Sequence, residues 1–234
     1  LHPAEATGLL LSAAVAAVVV GATTVGVVLA MVRASEGLAD LDLSAARFGA
    51  RHASELSTGV LRRLTELGDT PVVVALGLVV ALVEYRRMAN RAIIGFLVLV
   101  LGGQVAITNL IKELVERARP DLGQLAGAAG HSFPSGHSAA AAAALAAFAL
   151  VMGRGRPLPA KAVLAGMATG GAVAVAASRV LLGVHWVTDV VAGLALGWGW
   201  FALCSIAFGG RFLHFGSPVE VAQHEVEAEA HATG

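Results

Sequence analysis

Cysteine, aromatic residues and charge are all scarce in this chain. Cys204 is the sole cysteine among 234 residues, which excludes a disulfide framework; within its apolar run it reads as a buried thiol that fills space. Aromatic residues make up only 5% of the sequence. Charged residues make up 14%, against about 25% in an average soluble domain. Sixteen basic and sixteen acidic side chains cancel, so bulk electrostatics gives no footing to a nucleic-acid partner. What fills the chain instead is apolar: 57% hydrophobic residues and a mean hydropathy of +0.77.

The apolar residues come in long runs free of charge, the pattern of helices that cross a bilayer. Six runs stand out: Leu9–Val32, Thr70–Val83, Ala92–Leu110, Ser138–Met152, Ala160–Ala177 and Val190–Phe208. The first is longer than the core of a signal peptide and reads as a retained span. The second and fourth are short, so each is either extended by its flanks or re-entrant. Pro71 falls in the first turn of the second run, where a missing amide proton is harmless. Glycine and alanine crowd the runs, and small side chains let helices approach closely in lipid. Trp186, Trp198 and Trp200 are candidates for interfacial anchors, with buried packing an equal reading for the last two.

Between the first two runs, Leu56, Val60, Leu64 and Leu67 recur at helical spacing, with Arg62, Arg63 and Glu66 on the other face. This predicts an amphipathic helix, either lying in the membrane plane or packed on its own bundle. The fold expected is therefore all-α: an integral membrane bundle of six transmembrane helices over residues 1–215, with an interfacial helix between spans one and two. An acidic tail, 216–234, reads as disordered and cytoplasmic, and His224 and His231 within it as solvated rather than metal-binding.

Six spans place the loops Glu84–Arg91 and Gly153–Lys161 on one side. Both are short and rich in Arg and Lys, which predicts the cytoplasm for them and for both termini. The loops Ile111–His137 and Ser178–Asp189 then emerge together on the extracytoplasmic face.

Those two loops hold the chain's reactive residues. His185 and Asp189 are four apart, one helical turn, so the carboxylate can fix one imidazole nitrogen and leave the other lone pair free to attack phosphorus. Alone, such a pair is far more often an ordinary interfacial contact. His137 follows Pro134, Ser135 and Gly136 at a helix start, where backbone amides and the Ser135 hydroxyl face an anion and a protonated imidazole can serve a departing oxygen. Lys112, Arg119 and Arg179 bring cations suited to phosphate oxygens, with Arg119 expected on a loop because Pro120 follows it. Arg117 reads as an anchor to anionic lipid.

Together these residues resemble the type 2 phosphatidic acid phosphatase family, the lipid phosphate phosphatases. The stretches KELVERARP at Lys112–Pro120, PSGH at Pro134–His137 and SRVLLGVHWVTD at Ser178–Asp189 match its three-part pattern at every motif position. The resemblance implies His185 as nucleophile, Asp189 as its partner and His137 as the acid for the leaving group. It implies a phosphate clamp of Lys112, Arg119, Ser135, Gly136 and Arg179. It also implies catalysis without metal or other cofactor, and a lipid phosphate or lipid pyrophosphate as substrate. Phosphatidic acid, phosphatidylglycerol phosphate and polyprenyl pyrophosphate are the candidates, with membrane lipids as the surrounding partners. The other readings are a transporter or flippase that binds phosphorylated lipid without cleaving it, a lipid phosphotransferase, and a catalytically silent scaffold.

Overall fold

A computed structural model describes residues 3–34, 38–121 and 124–212, and every regular element among them is helical. In order they are α1 (Pro3–Ala34), α2 (Ala39–Arg51), α3 (Glu55–Thr65), a 3-10 turn (Glu66–Gly68), α4 (Thr70–Met88), α5 (Ala92–Val115), α6 (Gly136–Gly153), α7 (Leu158–Leu181) and α8 (Val187–Phe212). The tail expected over 216–234, His224 and His231 included, lies outside the described residues.

Among the described residues, five helices are long and apolar enough to cross a membrane: α1 from Leu11, α5, α6, α7 and α8 as far as Phe208. The candidate for a sixth crossing is α4, which the preceding stretch Glu55–Gly68 meets at a bend of 55°. Both short sequence runs are extended by their flanks. Helix α4 continues through Glu84, which is buried and pairs with Arg87 at 3.1 Å. Helix α6 begins inside the PSGH stretch.

Helix α6 is the hub, packed against α4, α5, α7 and α8. Its alanines 139–144 are all buried. The absence of bulk is what lets α8 lie so near: a Cβ on Gly197 would stand 2.4 Å from the Ala139 carbonyl oxygen. Helix α1 reaches α8 in the same way, since a Cβ on Gly21 would meet the Ala195 carbonyl oxygen at 2.8 Å. Trp200 packs against Gly103, leaving no room for a Cβ there, and donates its indole proton to the Val100 carbonyl at 3.1 Å, while Trp198 packs on α6 and α7. Both are packing residues. Outward, Val20, Leu78, Val98 and Met167 expose apolar surface from four different spans, a distribution suited to lipid.

The amphipathic helix expected between the first two runs is α3, which carries Leu56, Val60 and Leu64, with Leu67 in the 3-10 turn after it. A second helix, α2, precedes it, because the chain leaves helical geometry after Arg51 and restarts at Ser54. Ser54 and Ser57 exchange side-chain and backbone hydrogen bonds in a capping box that fixes the new start. Helices α2 and α3 rest on α7, and α2 also on α8, while Leu41, Phe48, Leu56 and Val60 stay exposed on the far side. The segment is thus both packed on the bundle and apolar outward.

Connectivity sorts the loops by end. Arg87 donates to the Arg154 carbonyl, which joins the α4–α5 and α6–α7 loops at one end of the bundle. At the other end the Leu125 amide donates to the Leu182 carbonyl at 2.9 Å, joining the α5–α6 and α7–α8 loops. The second end carries every motif residue.

Candidate active site

The site is built where helices begin and end. At the start of α6, Ser135 is the N-cap: its hydroxyl oxygen accepts from the Ser138 amide at 3.4 Å and the Ser138 hydroxyl at 2.9 Å. The Ser135 amide in turn donates to the Asp189 carbonyl at 2.9 Å, which ties the PSGH turn to the first turn of α8. Gly136, beginning α6, lies against Lys112 in the last turn of α5; a Cβ there would be 4.0 Å from Lys112 Cε. Lys112 Nζ donates to the His131 carbonyl.

Helix α7 ends at Leu181, and Gly183, at φ +69°, turns the chain back. The Val184 and His185 amides both donate to the Arg179 carbonyl, which places His185 beside the end of its own preceding helix. His185 is almost fully buried. Its Nδ1 is 3.3 Å from Asp189 Oδ2, and its Nε2 is 3.1 Å from an Arg119 guanidinium nitrogen. Burial pushes the His185 imidazole down to about 4, opposed by the Asp189 hydrogen bond and charge and assisted by Arg119 and Arg179. At neutral pH its ring is therefore uncharged, with Nδ1 as donor to Asp189 and a lone pair on Nε2.

Arg119 lies on the loop, as its following proline requires. The carbonyls of Ala129, Gly130 and Val184 hold it at 2.8, 2.9 and 2.8 Å. Arg179 is buried too. One of its terminal nitrogens donates to Thr65 Oγ1 at 3.0 Å, and its Nε has no hydrogen-bond partner among the described residues. Arg119 and Arg179 act electrostatically on both His137 and His185, and on Lys112 as well. Two imidazoles and three cations thus converge at one end of the bundle. That arrangement suits a phosphate group: guanidinium and ammonium donors for its oxygens, and a neutral imidazole nitrogen beside them.

Several residues that complete the site carry no motif signal. Arg117, read from sequence as a lipid anchor, points inward. It donates to Asp189 Oδ1 at 2.6 Å, to Asp42 Oδ2 at 2.9 Å and to Thr188 Oγ1 at 2.6 Å, and lies over the Trp186 ring at 5.5 Å. The physical reason is charge: two buried carboxylates need a cation between them. Asp42, on α2, also accepts from the Thr188 amide at 2.9 Å and hydroxyl at 2.6 Å. Trp186, expected as an interfacial anchor, donates its indole proton to the Ala118 carbonyl at 3.0 Å. Asp69 Oδ1 lies 2.5 Å from His137 Nε2. Arg117 was within sight in the sequence, two residues from Arg119. Asp42 had no local signal at all. Among the described residues no group of three or more His, Cys, Asp or Glu side chains is placed to hold a metal ion.

Residues 93–212 match the family model of the PAP2 superfamily. The chain is 35% identical over 153 residues to phosphatidylglycerophosphatase B of Bacillus subtilis, spanning 62% of this chain and 70% of that protein. It is 40% identical over 110 residues to decaprenylphosphoryl-5-phosphoribose phosphatase of Mycobacterium tuberculosis, spanning 45% of this chain and 56% of that protein. The crystal structure of a transmembrane PAP2 type phosphatidylglycerolphosphate phosphatase from Bacillus subtilis superposes with a TM-score of 0.75 at 26% identity, covering 82% of this chain and 97% of that one. With half its length matched by the family model and its fold shared with a membrane-embedded relative, this chain belongs to the PAP2 superfamily.

Proposed function

We propose that this protein hydrolyses a lipid phosphate monoester through a phosphohistidine on His185, with phosphatidylglycerol phosphate as the favoured substrate. Hydrolysis of lipid phosphates is common to the relatives, which are named phosphatases, and a transporter that binds without cleaving has no support among them. The observation that carries the residue roles is the setting of His185: Nδ1 on Asp189, Nε2 beside Arg119.

In this reading Arg119, Arg179 and Lys112 hold the phosphate oxygens and offset the charge of the transition state, with the Gly136 amide and the Ser135 hydroxyl as further donors. His185 Nε2 attacks phosphorus. The bond from phosphorus to the lipid oxygen breaks, and His137 gives that oxygen a proton. Water then attacks the phosphohistidine, His137 takes the water's proton, and inorganic phosphate leaves. No metal enters these steps, so phosphate release is expected to continue in excess chelator.

An apolar groove supports a lipid substrate. Val73 and Val74 of α4, Gly102 and Val105 of α5, and Ala140 of α6 line it. Ala140 lies one turn beyond His137, so tails in this groove leave the headgroup at the site. The basic loops that carry Arg86, Arg87, Arg91, Arg154, Arg156 and Lys161 favour the cytoplasm for the opposite end, and hence an extracytoplasmic site.

The favoured substrate rests on the breadth of the likeness to the Bacillus subtilis phosphatase. A polyprenyl-linked phosphate is the second reading, favoured by the mycobacterial relative. A panel of phosphatidylglycerol phosphate, phosphatidic acid and a polyprenyl pyrophosphate, compared by kcat/KM with purified protein, separates them. The highest value for phosphatidylglycerol phosphate supports the proposal, and a tenfold preference for the polyprenyl compound overturns it.

A further inference from the structure

The matched family region starts at residue 93, yet the carboxylate that meets the His137 ring comes from before it. Asp69 is the N-cap of α4 and has the best side chain for that position, but it makes no capping bond. Its carboxylate turns away to the His137 ring, with Oδ1 2.5 Å from Nε2. The turn before it is pressed onto the same histidine. A Cβ on Gly68 would stand 2.8 Å from the His137 carbonyl oxygen and 3.0 Å from His137 Cβ. Three residues earlier, Thr65 takes the Arg179 hydrogen bond. The 55° bend between α3 and α4 thus delivers one corner of chain to the acid and to the clamp together.

The charges that face His137 make a carboxylate there consequential. Arg179 from α7 and Arg119 from the α5–α6 loop bring positive charge to bear on His137, and Asp69 brings negative charge against it. Lys112 of α5 lies against the neighbouring Gly136. A histidine ringed by cations has difficulty holding the proton that it must deliver.

We propose that Asp69 is a positioning residue for the acid step: it fixes the His137 ring and stabilises the imidazolium until the leaving oxygen takes its proton. As the phosphorus–oxygen bond breaks, the proton passes from His137 to the lipid alcohol oxygen, and a neutral imidazole is left against the Asp69 carboxylate. The water that later attacks the phosphohistidine returns a proton to the ring, so the pair ends as it began. This mirrors Asp189 behind His185, with a carboxylate from outside the motifs. The inference rests on the reading of His137 as the acid.

The test compares two substrates within one preparation. A short-chain phosphatidic acid leaves as an alkoxide and needs the proton; 4-nitrophenyl phosphate releases a stable anion and does not. The ratio of their kcat/KM values is independent of how much enzyme is folded. General acid catalysis contributes roughly 10²–10⁴-fold. For Asp69→Asn, kcat/KM on phosphatidic acid is expected to fall about tenfold or more beyond any fall on 4-nitrophenyl phosphate. Asp69→Ser, which can cap α4 itself, is expected to do the same, so loss of the helix start is not the cause. His137→Ala is expected to show the selective loss in larger measure, and Asp69→Asn added to it is expected to change the ratio no further. Equal loss on both substrates in the Asp69 variants, with selective loss in His137→Ala, overturns the role of Asp69 alone. Equal loss in His137→Ala overturns the reading of His137 beneath it.

Discussion

Arg117 joins Asp42 to Asp189: one guanidinium nitrogen stands 2.9 Å from Asp42 Oδ2 and the other 2.6 Å from Asp189 Oδ1. Through that bridge α2 is coupled to the carboxylate that orients His185. Both carboxylates are buried, and the arginine between them offsets their charge.

Replacing Arg117 with alanine is expected to cost about 3–5 kcal/mol, the range for a buried ion pair that loses one partner. Thermal unfolding in detergent measures it, and phosphatase activity should fall with it. Arg117→Lys should recover only part, because a single ammonium cannot fork to both carboxylates. An unchanged melting temperature in Arg117→Ala would show that the bridge contributes nothing.

The contrast between Arg117 and Arg119 shows what the sequence could carry. Arg119 is legible because Pro120 excludes helix there and because Lys112, Ser135 and His185 recur around it in a known pattern. Arg117 has no such neighbours in the chain: its partner Asp42 is 75 residues away, and only folding brings the two together. Asp69 is the same case, 68 residues from His137. The spans were legible from their runs, since lipid demands continuous apolar sequence. The break between α2 and α3 was not, because a Ser54–Ser57 capping box lacks the glutamate or glutamine that usually marks one.

The His185 imidazole gives the protein an acid sensitivity of definite sign. In the unfolded chain a histidine takes up its proton near 6.5, whereas buried His185 resists until about 4. Above 6.5 both states are neutral there and the group adds no slope. Between 6.5 and 4 the unfolded state binds the extra proton, so stability falls as pH falls, by an amount on the order of 3 kcal/mol. Urea unfolding at pH 7 and pH 4.5 is expected to show a smaller loss for His185→Gln than for the parent protein. An equal loss in both would show that His185 does not carry it.

Gly102 faces open space in the apolar groove: a Cβ there would meet nothing within 4 Å. Leucine at this position is expected to suit the helix and to block the tails. Gly102→Leu should lower kcat/KM for a long-chain lipid phosphate about tenfold relative to that for 4-nitrophenyl phosphate, the scale of 1–2 kcal/mol for displaced methylenes. Parallel changes on both substrates would show that tails bind elsewhere.

Sidedness is open to labelling. With Cys204 replaced by alanine, a cysteine at exposed Gly127 is expected to react with an impermeant maleimide in whole cells, and one at exposed Arg156 only after lysis. The reverse pattern would place the site on the cytoplasmic face.

Trapping the covalent intermediate bears most directly on the reaction itself. Acid-stable phosphoproteins form on serine, whereas phosphohistidine survives alkali, so enzyme mixed with 32P-labelled lipid phosphate and quenched in base should retain label on the peptide that contains His185. Label on that peptide, absent in His185→Ala together with turnover, is the result predicted. Label mapping to another residue, or sustained turnover by His185→Ala, would contradict it.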